Sequence, residues 1–361
     1  MKIATMTFPN STSIGASLQM YSLYKVLTDM GNDVDVLNYD PPNLHYRLEK
    51  PQPGCLSALK SALKAAAIHM IVPGSSANFK RFESMMTKNP AVPTRSTDDI
   101  RNLLLGYDRI FVGSDQVWNY DVTGHDFNFY LDFCDDDTKK VSYAASFGKN
   151  DVAEDEKGKI ANLLNRFSHI SVREERGQEI VNELTGRSAE LVLDPTLLIE
   201  PSQLRSVAKP YKRKGDYCLF YNIKPSVTLL ESATKYAAEN GLRLVKVGGR
   251  VKEKFQNRYT VEYGVGPQEF LGLVDNAACV FTNSFHGLAI SLAFSKNFYM
   301  EYSTDTNSRL LNMAEIFKLQ DRVVSNGAAP KAENMDYGYI LEKLNEMRRA
   351  SLRFISGVLD K

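Results

Sequence analysis

Short apolar runs separated by longer segments with helical spacing recur along the chain. Lys2 to Thr7 reads as a strand, Ala16 to Met30 as a helix with Met20, Leu23, Leu27 and Met30 on one face, and Val34 to Leu37 as a second strand. This is a βαβ unit, and the alternation continues with strands at Asp108 to Val112, Lys140 to Ala145, Ile170 to Val172 and Glu190 to Leu193. A polar, turn-rich stretch at 201–216 is expected to link this half to a second one. There the strands are Tyr217 to Tyr221, Leu242 to Val247, Thr260 to Glu262, Ala277 to Phe281 and Tyr299 to Tyr302, with helices between them. The pattern predicts an α/β protein of two Rossmann-like domains: residues 1–205 with a helical insertion at about 41–100, and residues 216–330. A final amphipathic helix at 337–358, within a C-terminal segment 331–361, is expected to pack across them.

The most informative junction is Cys279-Val-Phe-Thr-Asn-Ser-Phe-His-Gly287: a buried strand, a polar turn and the start of an apolar helix. In an open α/β sheet such a junction lies where ligands bind, and a helix start offers unpaired N–H groups to an anion. Asn283 or Ser284 is the expected helix cap, Gly287 permits close approach of a ligand, and His286 is the side chain there able to move a proton near neutral pH. A histidine beside an apolar strand also reads as a structural hydrogen-bonder. A second polar cluster, Gly113-Ser-Asp-Gln-Val-Trp-Asn119, follows the strand at 108–112. Trp118 could stack on a sugar, with Asp115, Gln116 and Asn119 binding hydroxyls; a capped turn plugged by tryptophan fits equally. Arg173 follows a strand directly, in line for a phosphate or carboxylate. Gln19, one turn into the first helix, faces the loop at Gly15 as a ligand contact or a solvated side chain.

Composition narrows the function. The 361 residues are 43% hydrophobic and 24% charged, with 44 basic against 43 acidic side chains. Near-neutral charge argues against nucleic acid as the main partner. Four dispersed cysteines (Cys55, Cys134, Cys218, Cys279) and five histidines show no zinc-type spacing, and no carboxylate cluster has metal-ligand spacing. The first loop has no GxGxxG, so a dinucleotide site is not supported. The apolar stretch 62–73 is too short to span a bilayer, leaving at most peripheral membrane contact. Met1-Lys2 leads straight into the first strand rather than a signal peptide, and reduced thiols fit a cytoplasmic protein.

Gly113-Ser-Asp-Gln-Val-Trp-Asn119, Val141-Ser-Tyr-Ala-Ala-Ser-Phe-Gly148, Ser171-Val-Arg-Glu174, Leu193-Asp-Pro-Thr196 and Thr282-Asn-Ser-Phe-His-Gly287, in that order, resemble the polysaccharide pyruvyl transferase family, as does Gly15-Ala-Ser-Leu-Gln19. The resemblance implies a glycosyltransferase-B-like pair of domains facing a cleft. It implies phosphoenolpyruvate as donor, without a cofactor, and as acceptor a cell-surface sugar or its lipid-linked oligosaccharide, at the inner face of the membrane. By analogy His286 is the general acid. Arg173 and Arg309 clamp the donor with Asn283, Ser284 and Gly287; Asp115, Gln116, Trp118, Asn119, Gly15 and Gln19 face the acceptor. Branches of the family carry an arginine where this chain has Ser284, so a donor contact is either missing or supplied by another cation, with Arg309, Lys296 and Arg250 the candidates. The alternatives are a glycosyltransferase-B-type enzyme using a nucleotide sugar, for which Gly248-Gly-Arg250 offers a phosphate turn, and a non-catalytic glycan-binding member of a capsule locus.

Overall fold

A computed structural model describes residues 1–40, 75–88, 94, 96–211, 216–248, 258–302, 307–324, 330 and 333–360. The expected amphipathic stretch at 62–73, most of the insertion before residue 75, and Arg250 lie outside these residues.

The first half builds a four-stranded parallel sheet in the order β2-β1-β3-β4, from β1 (Lys2–Met6), β2 (Asp33–Val36), β3 (Arg109–Val112) and β4 (Lys140–Ser142). Ile3 pairs with Val34 on one side and Arg109 on the other. Two short strands, β5 (Ser171–Val172) and β6 (Glu190–Leu191), continue beyond β4 through bridges such as Val141 to His169 and Ala145 to Val172. The second half builds a five-stranded parallel sheet, β11-β10-β7-β8-β9, from β7 (Tyr217–Tyr221), β8 (Arg243–Val247), β9 (Thr260–Glu262), β10 (Cys279–Thr282) and β11 (Phe298–Met300). Strands covered on both faces need near-continuous apolar runs, and β10 is buried throughout.

The helices that matter for the site follow the strands: α1 (Ile14–Asp29), α2 (Ser75–Glu83), α3 (Thr97–Leu104), α4 (Pro195–Leu198), α5 (Pro201–Val207), α6 (Pro267–Asn276), α7 (Phe285–Ala293), α8 (Asn307–Phe317) and α9 (Gly338–Leu359). The expected linker at 201–216 therefore begins as a helix. Pro201 stands in its first turn, where a missing N–H costs nothing, and Leu204 is buried in the core. Leu18 and Leu23 of α1, Leu197 of α4, Leu271 of α6 and Leu288 of α7 belong to one continuous apolar cluster that reaches both sheets. Helix α9 closes it from outside. Ser351 Oγ accepts the Leu193 N–H at 2.9 Å, Arg348 donates to the Leu197 carbonyl, and Tyr337 Oη, just before α9, donates to the Lys296 carbonyl at 2.5 Å. The last helix is thus tied to both halves. Among the described residues no helix is long and apolar enough to cross a membrane.

Candidate active site

The turn after β10 is fixed by its own polar side chains. Thr282 Oγ1 accepts the Ser284 N–H at 3.0 Å, and Ser284 Oγ accepts the Gly287 N–H at 3.2 Å, which makes Ser284 the cap of α7. The N–H groups of Phe285 and His286, in the first turn, have no acceptor within the helix and stand at its positive end. Gly287 is needed for packing: a Cβ there would lie 2.4 Å from Thr282 Oγ1 and 3.0 Å from Tyr221 Cδ1. The Asn283 amide faces the neighbouring loop, accepting from the Ile223 N–H at 3.0 Å and donating to the Lys224 carbonyl at 2.9 Å. Of the two caps that the sequence allows, Asn283 and Ser284, the structure selects Ser284.

His286 is brought between the two halves of the chain. Its ring lies against the first turn of α1, where a Cβ on Gly15 would come within 2.1 Å of Nδ1. Its Nε2 is buried without a hydrogen-bond partner and faces Asp194 Oδ2 at 3.8 Å, too far for a direct bond. The ring meets Phe285 edge-on, with centroids 5.1 Å apart, and the guanidinium groups of Arg173 and Arg309 lie over the same Phe285 ring at 4.8 and 5.8 Å. Gly15 is the residue type this contact demands. Gly15→Ala is expected to push the imidazole aside and lower kcat by about tenfold or more while the melting temperature changes little. An unchanged kcat would show that the ring's place against α1 is unimportant.

Arg173 sits at the centre of a buried carboxylate cage. It donates to Asp194 Oδ2 at 2.7 Å, Asp115 Oδ1 at 3.2 Å and Glu174 Oε1 at 3.2 Å, with its side chain 1% exposed. Burial alone would lower its basicity, but the three carboxylates outweigh that and hold it firmly cationic. Asp194 accepts further from Ser114 Oγ at 3.1 Å and, through Oδ1, from the N–H and Oγ1 of Thr196 at 3.0 and 2.7 Å. Burial would raise its carboxyl, yet His286, Arg173 and Thr196 together hold it well below the usual carboxylate range. Asp194 joins the candidate site although the sequence pattern assigns it no role; an aspartate directly after an apolar run and before Pro-Thr is the available signal.

The remaining candidates fall in layers around this centre. Gly15 touches the His286 ring, and Asp115 touches it through Arg173 and Asp194. Asn119 Nδ2 donates to Gln116 Oε1 at 2.7 Å, and a Cβ on Gly148 would collide with both side chains. Gln19 is fully buried, donates to Thr7 Oγ1 at 2.9 Å and keeps an unpartnered Oε1; Thr7 in turn donates to the Ser114 carbonyl at 3.0 Å. Trp118 is the plug rather than an open stacking face. It is 2% exposed, stacks on Tyr130 at 5.5 Å, packs on Phe147 and Phe167, and donates Nε1–H to the Phe129 carbonyl at 3.1 Å. Among the candidate cations for the arginine absent at Ser284, Arg309 stands by Phe285, whereas Lys296 lies beyond the opposite end of α7.

A family model for polysaccharide pyruvyl transferase matches residues 14–303. No curated protein matches the chain. Among solved structures, a putative UDP-N-acetylglucosamine 2-epimerase from Listeria monocytogenes superposes with a TM-score of 0.51 at 11% identity, covering 97% of this chain and 90% of that one. UDP-GlcNAc 2-epimerase from Neisseria meningitidis, bound to UDP-GlcNAc, gives 0.51 at 12% identity over the whole of both chains. At such identities the likeness is one of fold, and it agrees with two Rossmann-like halves in a glycosyltransferase-B-like pair. The matched span contains every strand of the two sheets except β1, together with the His286 turn and the carboxylate cage, and on it the chain belongs to the polysaccharide pyruvyl transferase family.

Proposed function

We propose that the protein transfers a pyruvyl group from phosphoenolpyruvate to two hydroxyls of a sugar, in a bacterial surface polysaccharide such as capsule or in its lipid-linked precursor at the cytoplasmic face of the membrane. No cofactor is required. The observation that carries this reading is the placement of His286 at the open end of α7, with Nε2 unpartnered beside Asp194. The donor's phosphate and carboxylate fit the free N–H groups of Phe285 and His286 together with Arg309. Ser284, Asn283 and Gly287 hold that turn in shape. Arg173 is occupied by its carboxylates and acts on the donor pocket through Phe285 and Asp194.

The chemistry needs one proton at the donor's methylene carbon and one leaving group. His286 gives its proton to that carbon, making a methyl group, while a sugar hydroxyl bonds to the central carbon and its proton returns to the imidazole. The carbon–oxygen bond to phosphate then breaks, the second hydroxyl bonds to the same carbon, and its proton leaves with the phosphate. The products are a cyclic pyruvate ketal and inorganic phosphate. The acceptor approaches from the first half, past Gly15, Asp115, Gln116 and Asn119, with Gln19 and Trp118 bracing that wall.

Thermal shift separates this reading from its competitors. Phosphoenolpyruvate is expected to raise the melting temperature, and nucleotide sugars are expected to leave it unchanged. Stabilisation by a nucleotide sugar instead would point to glycosyl transfer, and stabilisation by neither would point to a non-catalytic glycan-binding role.

A further inference from the structure

A cavity of about 620 Å3 opens on the first half of the chain and shares no residue with the His286 site. That volume is ordinary for a small-molecule site. Tyr39, three residues beyond the carboxyl end of β2, lines it together with Thr97, Arg101, His125, Asp126 and Asn128. Its polar groups are arranged beforehand. Asp126 accepts from Tyr39 Oη and from the Asn128 N–H at 3.0 Å, Asn128 Nδ2 donates to Tyr39 Oη at 2.9 Å, and Thr97 Oγ1 donates to Asn128 Oδ1 at 3.3 Å. Arg101 spends Nε on the Phe133 carbonyl and Nη1 on Asp98, and His125 spends Nδ1 on Glu156, so each keeps a further ring or guanidinium nitrogen for a ligand.

The charge balance decides what kind of ligand fits. Arg101 is matched by Asp98, and Asp132 by Lys159 and Arg166 at 3.7 and 4.0 Å, while Asp126 accepts from Tyr39 Oη and the Asn128 N–H. No cationic surplus remains to hold a phosphate or a nucleotide. Donors and acceptors together, beside the half-buried ring of Phe127, suit a ligand with many hydroxyls and an apolar C–H face. We propose that this cavity is a saccharide subsite, which holds a part of the acceptor glycan remote from the sugar being modified. The inference rests on the saccharide acceptor proposed above.

The chain carries its own reporter. Its single tryptophan, Trp118, donates to the Phe129 carbonyl and stacks on Tyr130, both in the turn Phe127–Tyr130 whose first residue lines the cavity. The full-length His286→Ala protein is titrated with short oligosaccharides of glucose, galactose and N-acetylglucosamine, and with inorganic phosphate and UDP as controls, while tryptophan emission is followed. A saturable shift is expected with an oligosaccharide and not with the controls. Binding should weaken about tenfold, the loss of one or two hydrogen bonds, in Asn128→Ala and in Arg101→Gln, whose side chain is about half exposed. Circular dichroism checks that both fold. No shift with any oligosaccharide, a shift with phosphate or UDP instead, or unchanged affinity in both folded variants would overturn the subsite. Saccharide binding in a parent protein that transfers no pyruvate would sink the transferase reading and leave the subsite standing.

Discussion

His286→Ala is expected to reduce pyruvyl transfer by at least about 10²–10⁴-fold, the range supplied by a positioned general acid, while the affinity for phosphoenolpyruvate stays within a few-fold. The split follows from the geometry. The groups assigned to the donor's anions are backbone N–H groups of α7 and Arg309, and the substitution keeps them, whereas the proton donor is lost. Phosphate release measured with saturating donor reads the first effect, and thermal shift against donor concentration reads the second. Transfer at the parent rate would remove His286 from the mechanism. A variant that no longer binds the donor would mean that the ring is a binding group instead.

The largest expected effect on stability comes from Arg173→Ala. The guanidinium pairs with Asp115, Glu174 and Asp194 in a place from which water is excluded. Removing one partner of a buried ion pair typically costs about 3–5 kcal/mol, and here three carboxylates lose it together. Urea titration near pH 7 should show a midpoint far below the parent's. Arg173→Lys is expected to recover only part, because an ammonium cannot present the guanidinium's fork to three separate carboxylates. The pH dependence has a definite sign. Asp194 titrates below its unfolded value in the parent, so its contribution is full above about pH 4 and disappears as the pH falls further. In the alanine variant the carboxylates gain by taking up protons, so the gap between the two proteins should narrow toward acid. A gap constant from pH 7 to 4 would contradict the cage as the source of the loss.

The pattern of apolar runs is enough to read both sheets, since central strands such as β3, β7 and β10 are covered on both faces and are apolar almost throughout. The cap of the His286 turn is equally legible, because it lies within a few consecutive residues. What could not be read depends on residues far apart in the chain. Trp118 stands among polar neighbours, and only Tyr130, Phe147 and Phe167, contributed by later segments, seal it away. Arg173 reads as a free cation until Asp115 and Asp194 fold onto it from 58 and 21 residues away. Asp194 stands 92 positions before His286 (286 − 194 = 92), and local pattern carries no trace of their meeting. The helix at Pro201–Val207 hides behind prolines that read as linker, yet one of them starts it.

The apolar cluster shared by the two sheets bears on how the protein loses its shape. Each half leaves leucines of α1, α4, α6 and α7 wet if the other departs, so neither is a separable folding unit. Heating should therefore melt the whole chain in one step, and a nick between the halves should leave two fragments that stay associated rather than two that drift apart.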